Sequence, residues 1–221
     1  MNRFKFTPFQ ILVHLGALVP FGLLLFYFFT DNLTANPIQY LTQRTGKTAL
    51  VLIVLSLCCT PLNSIFGFRQ ALKVRRALGL YAFFYVCLHF LTFVGLDYGF
   101  DLSLLKEAIF EKPYALIGFT SFLLLIPLAL TSTRASMQRL GQKWKLLHRL
   151  IYLIAPLVVV HYLWSVKADI RQPLLFGALV IGLLVLRLPV VRRSIHFAWP
   201  TFPRRAPPPL ETPHNEPHIS T

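Results

Sequence analysis

Residues 78–97 read LGLYAFFYVCLHFLTFVGLD, twenty positions with no Lys, Arg or Glu and one acid, Asp97, at the far end. The only other ionisable group of ordinary interest is His89, near the middle. At about 1.5 Å per residue a helix of this length spans roughly 30 Å, the thickness of a bilayer's hydrocarbon. No water is available there to satisfy N–H and C=O groups, so the backbone must bond to itself. The stretch therefore predicts a membrane-spanning helix.

Five further apolar runs of similar length lie outward from it, at 10–29, 48–67, 114–131, 147–166 and 174–191. Charges within the six runs are confined to Asp97, Arg149 and Arg187. Pro20, Pro61, Pro127, Pro156 and Pro189 also fall inside them, where proline is tolerated and kinks the helix. The first run follows Arg3 and Lys5 in the manner of a signal peptide. Its apolar stretch is too long for one, and no small-x-small cleavage site follows, so it reads as a retained span. The expected fold is an all-α membrane protein, a six-helix transmembrane bundle over residues 1–192. Residues 193–221 form a Pro-rich tail, with seven prolines between Pro200 and Thr221, expected to be disordered.

Composition agrees. Of 221 residues, 55% are hydrophobic and 14% charged, with 20 Phe, against about 25% charged in soluble domains. A disordered chain is excluded, and an ordinary soluble domain is strongly disfavoured. The net charge of +14 could suggest nucleic acid. A nucleic-acid binder gathers its cations on one soluble face, whereas here they cluster between the apolar runs; the bilayer is the expected partner. The N-terminus, the 68–77 and 132–146 loops and the tail hold 14 of the 22 basic residues, and the alternate loops hold 6. By the positive-inside rule both termini are cytoplasmic. Cys58, Cys59 and Cys87 all lie in apolar runs, with neither disulfide nor zinc spacing, and read as small buried hydrophobes.

The chemistry must then sit inside the bundle, where ionisable side chains are costly and usually functional. His89 (YVCLHFLTF) and His161 (VVVHYLWSVK) lie about 11 and 14 residues into the third and fifth runs, at depths differing by roughly one turn. Two neutral imidazoles at matched depth on two helices are what a bis-His b-type haem requires. No CxxCH is present for covalent attachment, and no third ligand lies at that level for copper or zinc. The alternative is that each histidine simply hydrogen-bonds a neighbouring helix. Matched depth and aromatic flanks favour haem.

FTPFQILVHLGALVPF (6–21), QRTGKTAL (43–50), VRRALGLYAF (74–83), LTSTRASMQRLGQKWKLLHRLIYL (130–153) and HYLWSVK (161–167) resemble one known family. It comprises the haem-binding membrane subunits of bacterial periplasmic methionine-sulfoxide reductase systems (MsrQ/YedZ), part of the ferric-reductase-like transmembrane group. The resemblance covers about residues 9–192. It implies an inner-membrane cytochrome b that takes electrons from the quinone pool and serves a periplasmic molybdenum-cofactor reductase repairing oxidised methionine. Such a subunit is part of an oxidoreductase and carries no catalytic residue of its own. The resemblance also implies FMN, and it matches His89, His148 and His161 to the family's histidines.

Two-haem members of the wider group carry a second histidine about four turns below the first on each helix. Here Arg75 lies fourteen residues below His89. His148 lies thirteen below His161, about 20 Å along an ideal helix and about 140° off its face. A second bis-His haem from these two helices is therefore not expected; His14 and His148 stay open as some inner site, with His14 favoured slightly as a satisfied polar group of the bundle. His148, Arg75 and Arg76 remain for an inner-side cofactor or electron-entry site, since guanidinium forks hold phosphate well and histidine can shuttle a proton. The bland account of the basic clusters is topology and lipid headgroups. No Gly-rich phosphate fingerprint is present, so the chain is not expected to take hydride from NADH. Two other readings stay open: a ferric or quinone reductase lacking that partner, and a non-redox transporter or scaffold. No acid lies in mid-span to serve an ion path.

Overall fold

Thr7 opens the first helix with a capping box: its side chain accepts the Gln10 N–H, and the Gln10 side chain accepts that of Thr7. The computed structural model describes residues 7–30, 32–166, 169–188 and 191. Arg3, Lys5, Lys167, Pro189 and the 193–221 tail lie outside the described residues. Helix α1 runs Pro8–Phe29, α2 Pro37–Phe66 and α3 Arg69–Leu91, prolonged by a π-helical turn to Asp97. After α4 (Leu102–Glu111) come α5 (Pro113–Leu130), α6 (Arg134–Leu140) and α7 (Gln142–Leu147). A 3₁₀ turn, His148–Leu150, leads into α8 (Ile151–Ser165), and α9 covers Arg171–Val185.

Prolines stand at the first turn of α1, α2 and α5, where the missing N–H is already spare. Gly67, at φ 68°, ends α2 in the left-handed conformation that glycine adopts without penalty. No strand occurs among the described residues. Five segments are long and apolar enough to cross a membrane: Pro8–Phe29, Pro37–Phe66, Arg69–Asp97, Pro113–Leu130 and Gln142–Ser165. The sixth apolar run is a shorter helix, Arg171–Val185, of about 22 Å at the usual rise. The chain is thus an all-α, multi-pass membrane protein.

Apolar surface points outward as lipid contact requires. Along α1, Leu12, Leu15, Phe26 and Phe29 are exposed while only Ala17 and Leu24 are buried. The core gathers on α2 and α3, from Ala49, Leu50, Ile53 and Leu57 against Val74, Leu78, Ala82 and Tyr85, with Ala155 and Val180 closing it. Tyr85 is fully buried and inserts its hydroxyl into α1. It donates to the Ala17 carbonyl (2.8 Å) and accepts from the Phe21 N–H (3.0 Å), groups one turn apart beside Pro20.

Two expectations change. α2 begins at Pro37, eleven residues ahead of the apolar run, because Asn36 caps it and its first turns are polar. The stretches read as loops at 98–113 and 132–146 contain α4, α6 and α7. These helices are short or amphipathic, and a search for continuous apolar runs passes over them.

Candidate functional site

His89 projects from the last turn of α3 and His161 from the last turns of α8, so both lie at one end of the bundle. His89 Nδ1 is 2.8 Å from the Thr42 carbonyl on α2, and His161 Nδ1 is 2.7 Å from the Tyr114 carbonyl on α5. A carbonyl only accepts, so each Nδ1 carries the proton and donates it. Each Nε2 is left as a basic nitrogen with its lone pair available. The two rings face each other with centroids 6.1 Å apart and planes at 85°.

Glycine makes both approaches possible. A Cβ built on Gly46 would stand 2.9 Å from His89 Nδ1, and one on Gly118 would stand 2.6 Å from His161 Nδ1. Each histidine thus lies over a helix at a glycine, one turn after the carbonyl that it bonds. In both cases 47 residues separate carbonyl and imidazole. Thr42, Gly46 and His89 correspond to Tyr114, Gly118 and His161, each 72 residues further along the chain. The α2–α3 and α5–α8 hairpins are therefore two copies of one histidine-presenting unit.

Aromatic rings line the space between α3 and α5. Phe90 stacks on Phe122 at 4.6 Å and on Phe119 at 5.9 Å, and Phe83 lies parallel to Phe122 at 6.2 Å. Among the described residues no three His, Cys, Asp or Glu side chains converge as a metal site. The pair stands without a third protein ligand of those types.

The remaining candidates occupy the opposite, basic end. His148 stacks on Trp144 at 3.9 Å, with Nδ1 3.1 Å from the Trp144 carbonyl and Nε2 3.5 Å from Ser132 Oγ. It sits in the 3₁₀ turn before α8, so the ideal-helix angle to His161 does not describe their relation. Arg75 is half-buried, donates to Thr60 Oγ1 (3.2 Å) and is within electrostatic reach of His148. Arg76 is exposed, so the structure gathers Arg75 with His148 and leaves Arg76 at the margin. His14 pairs with the Tyr81 hydroxyl at 2.9 Å, a polar contact between α1 and α3. An apolar groove of about 590 Å³ between α1, α2 and α3, lined by Val13, Leu52, Cys58 and Leu78 among others, includes neither His89 nor His161.

Reading the sequence missed Thr42, Tyr114, Gly46 and Gly118. The signal was present: laying His161 over His89 brings Gly118 onto Gly46.

The family described as ferric reductase like transmembrane component matches residues 45–159. Three bacterial proteins named protein-methionine-sulfoxide reductase heme-binding subunit MsrQ are similar over most of their length. That of Herminiimonas arsenicoxydans is 42% identical, covering 83% of this chain and 86% of its own. That of Rhodospirillum rubrum is 43% identical, with 83% and 89% covered. That of Xanthomonas axonopodis pv. citri is 41% identical, with 92% and 94% covered. No solved structure matches. Identity of about 40% over more than four fifths of the chain, together with the family match across residues 45–159, places the chain in the MsrQ/YedZ family of ferric-reductase-like transmembrane proteins.

Proposed function

We propose that the chain is the haem-binding electron-transfer subunit of a methionine-sulfoxide reductase system in the bacterial inner membrane. It crosses the bilayer six times with both ends cytoplasmic, the short α9 making the sixth crossing. Its partner is a periplasmic molybdenum-cofactor reductase, and its donor is the quinone pool. One observation carries the reading: two imidazoles, each with Nδ1 bonded to a carbonyl, face each other at 6.1 Å. Each ring keeps an Nε2 lone pair free while its Nδ1 is spent on a carbonyl, the donor chemistry that haem iron takes from histidine. The residues present therefore fit a b-type haem, which His89 and His161 would hold.

A haem held by His89 and His161 would supply a one-electron couple suited to relay and not to oxygen activation. The chain's own part is orientation and exclusion. The Thr42 and Tyr114 carbonyls fix the tautomer and the ring planes. Gly46 and Gly118 let the rings lie against α2 and α5. Phe83, Phe90, Phe119 and Phe122 keep water from one side. Electrons enter at the basic end, where Arg75 and His148 can meet an anionic or proton-bearing group, with Arg76 flanking them. FMN, if bound, draws on the same residues for its phosphate.

A pyridine haemochrome assay with flavin extraction, scaled to protein, tests the reading. At least one haem b per chain and a low-spin reduced spectrum are expected. Purified, inserted protein without haem would overturn it.

A further inference from the structure

Arg187 follows α9, yet its guanidinium reaches across the bundle to α2. Nη2 donates to the Leu57 carbonyl, at 2.6 Å, and Nη1 donates to the Tyr152 hydroxyl at 2.7 Å, with Cζ 5.0 Å above the Tyr152 ring. The choice of carbonyl is set by sequence. Leu57 would ordinarily bond to the N–H four residues on, but that residue is Pro61, which has none. Three residues beyond Leu57 on α2, Thr60 accepts from Arg75 Nη1. Residues three apart share a helix face, so two guanidiniums converge on one stripe of α2. Arg75 lies within electrostatic reach of Arg187 as well as of His148.

Nothing described balances this charge. The eight acids are at 31, 97, 101, 107, 111, 169, 211 and 216. Asp97, Asp101, Glu107, Glu111 and Asp169 belong to the opposite end of the bundle, and the acids at 31, 211 and 216 lie outside the described residues. Most of the N–H donors of the pair remain unspent, and Arg187 Nε is buried with no partner. A buried, unpaired donor is costly. Two like charges held together without a counter-ion are more so.

We propose that Arg75 and Arg187, with Thr60 and Tyr152, form a binding site for a phosphate group at the basic end of the bundle. Phosphate is the anion that satisfies guanidinium forks bidentately. It can come from an anionic lipid headgroup or from a soluble phosphate-bearing molecule. The inference rests on the proposed role of Arg75 and His148 as an inner-side site and adds Arg187, which sequence pattern had counted only as a charge inside a span.

The test is phenylglyoxal labelling of the full haem-loaded chain, mapped by peptide mass spectrometry. Nanodiscs of phosphatidylcholine alone are compared with the same discs plus inorganic phosphate, and with discs containing phosphatidylglycerol. Labelling of Arg75 and Arg187 should fall together, about tenfold at a ligand concentration ten times its Kd, while exposed Arg76 stays reactive. Protection by inorganic phosphate identifies the soluble source, and protection by phosphatidylglycerol alone identifies the lipid. Arg187→Gln should abolish protection at Arg75 and leave the histidine-pair spectrum in place. Equal labelling in all three discs overturns the proposal, as does protection spread evenly over Arg76. So does an Arg187 that never labels, because it is then sealed within the chain. Loss of the spectrum in wild type would count against the relay reading and not against this site.

Discussion

His89 and His161 come from helices of separate hairpins, yet each ring is held by a carbonyl 47 residues earlier and pressed against a glycine one turn beyond it. The two rings meet nearly at right angles, 85° apart. One packing solution, used twice, explains why both nitrogens available for bonding belong to the same tautomer. It also explains why depth along the sequence matched: the two units repeat at a fixed offset.

Replacing either ring should therefore abolish the site. His89→Ala and His161→Ala are each expected to remove the paired-imidazole reduced spectrum and electron delivery while protein still inserts. His14→Ala should leave the spectrum, since that ring is occupied by Tyr81. Optical spectra normalised to chain concentration check this. Full six-coordinate haem in either variant would make the ligand assignment wrong, with His148 the next ligand to test.

The glycines should matter almost as much, and with opposite signs at different positions. Gly→Ala inside a helix ordinarily gains about 1 kcal/mol. At Gly22 nothing lies within 4 Å of the new Cβ, so that gain should appear as a higher thermal midpoint. At Gly118 the methyl would stand 2.6 Å from a ring already held by its carbonyl. Overpacking of this kind costs about 1–3 kcal/mol, enough to cancel the propensity and turn the imidazole. Gly118→Ala and Gly46→Ala should lose haem content, the former more strongly. Haem stoichiometry equal to wild type in both would show that the rings have room to move.

The contrast between helix and site explains what could be read in advance. Long apolar runs report burial in lipid directly, so five long apolar helices and the closeness of His89 to His161 were legible from composition and depth. α2 was cut short at residue 48 because Gln39, Thr42 and Arg44 break the run, although Asn36 and Pro37 start the helix at full strength. Thr42 and Tyr114 act through backbone carbonyls, which leave no mark in residue type. Gly46 was visible inside QRTGKTAL, but its purpose depends on a ring 43 positions away. Arg187 reaches the Leu57 carbonyl, which Pro61 leaves without its usual N–H, only across the packed bundle.

Arg75 and Arg76, adjacent in sequence, should separate in function. Arg75 is half-buried and bonded to Thr60, and Arg76 faces outward. Arg75→Gln should slow reduction from the cytoplasmic side at least about tenfold, a loss of about 1.4 kcal/mol, with the outer spectrum intact. Arg76→Gln should mainly lower membrane insertion and yield. His148→Ala should resemble Arg75→Gln. Stopped-flow reduction of membranes with a quinol decides; identical effects at 75 and 76 would mean that topology alone accounts for both.

Orientation sets which end of the bundle meets the partner. In the proposed orientation, which rests on fourteen basic residues on one set of segments against six on the other, the 68–77 and 132–146 segments are cytoplasmic. That orientation would turn the histidine end to the periplasm, the side on which the proposed reductase partner must collect electrons. α4 lies at that end, capped by Asp101 and carrying Glu107 and Glu111. A reporter active only in the periplasm, fused after Asp101, should be active, and one fused after Arg139 should be silent. Exchanging the charges of α4 should then alter the salt dependence of electron delivery without changing the haem spectrum, because steering between charged faces acts on encounter. The reverse reporter pattern would turn the bundle over. It would leave the histidine pair on the wrong side for a periplasmic partner, and the relay reading would fail with it.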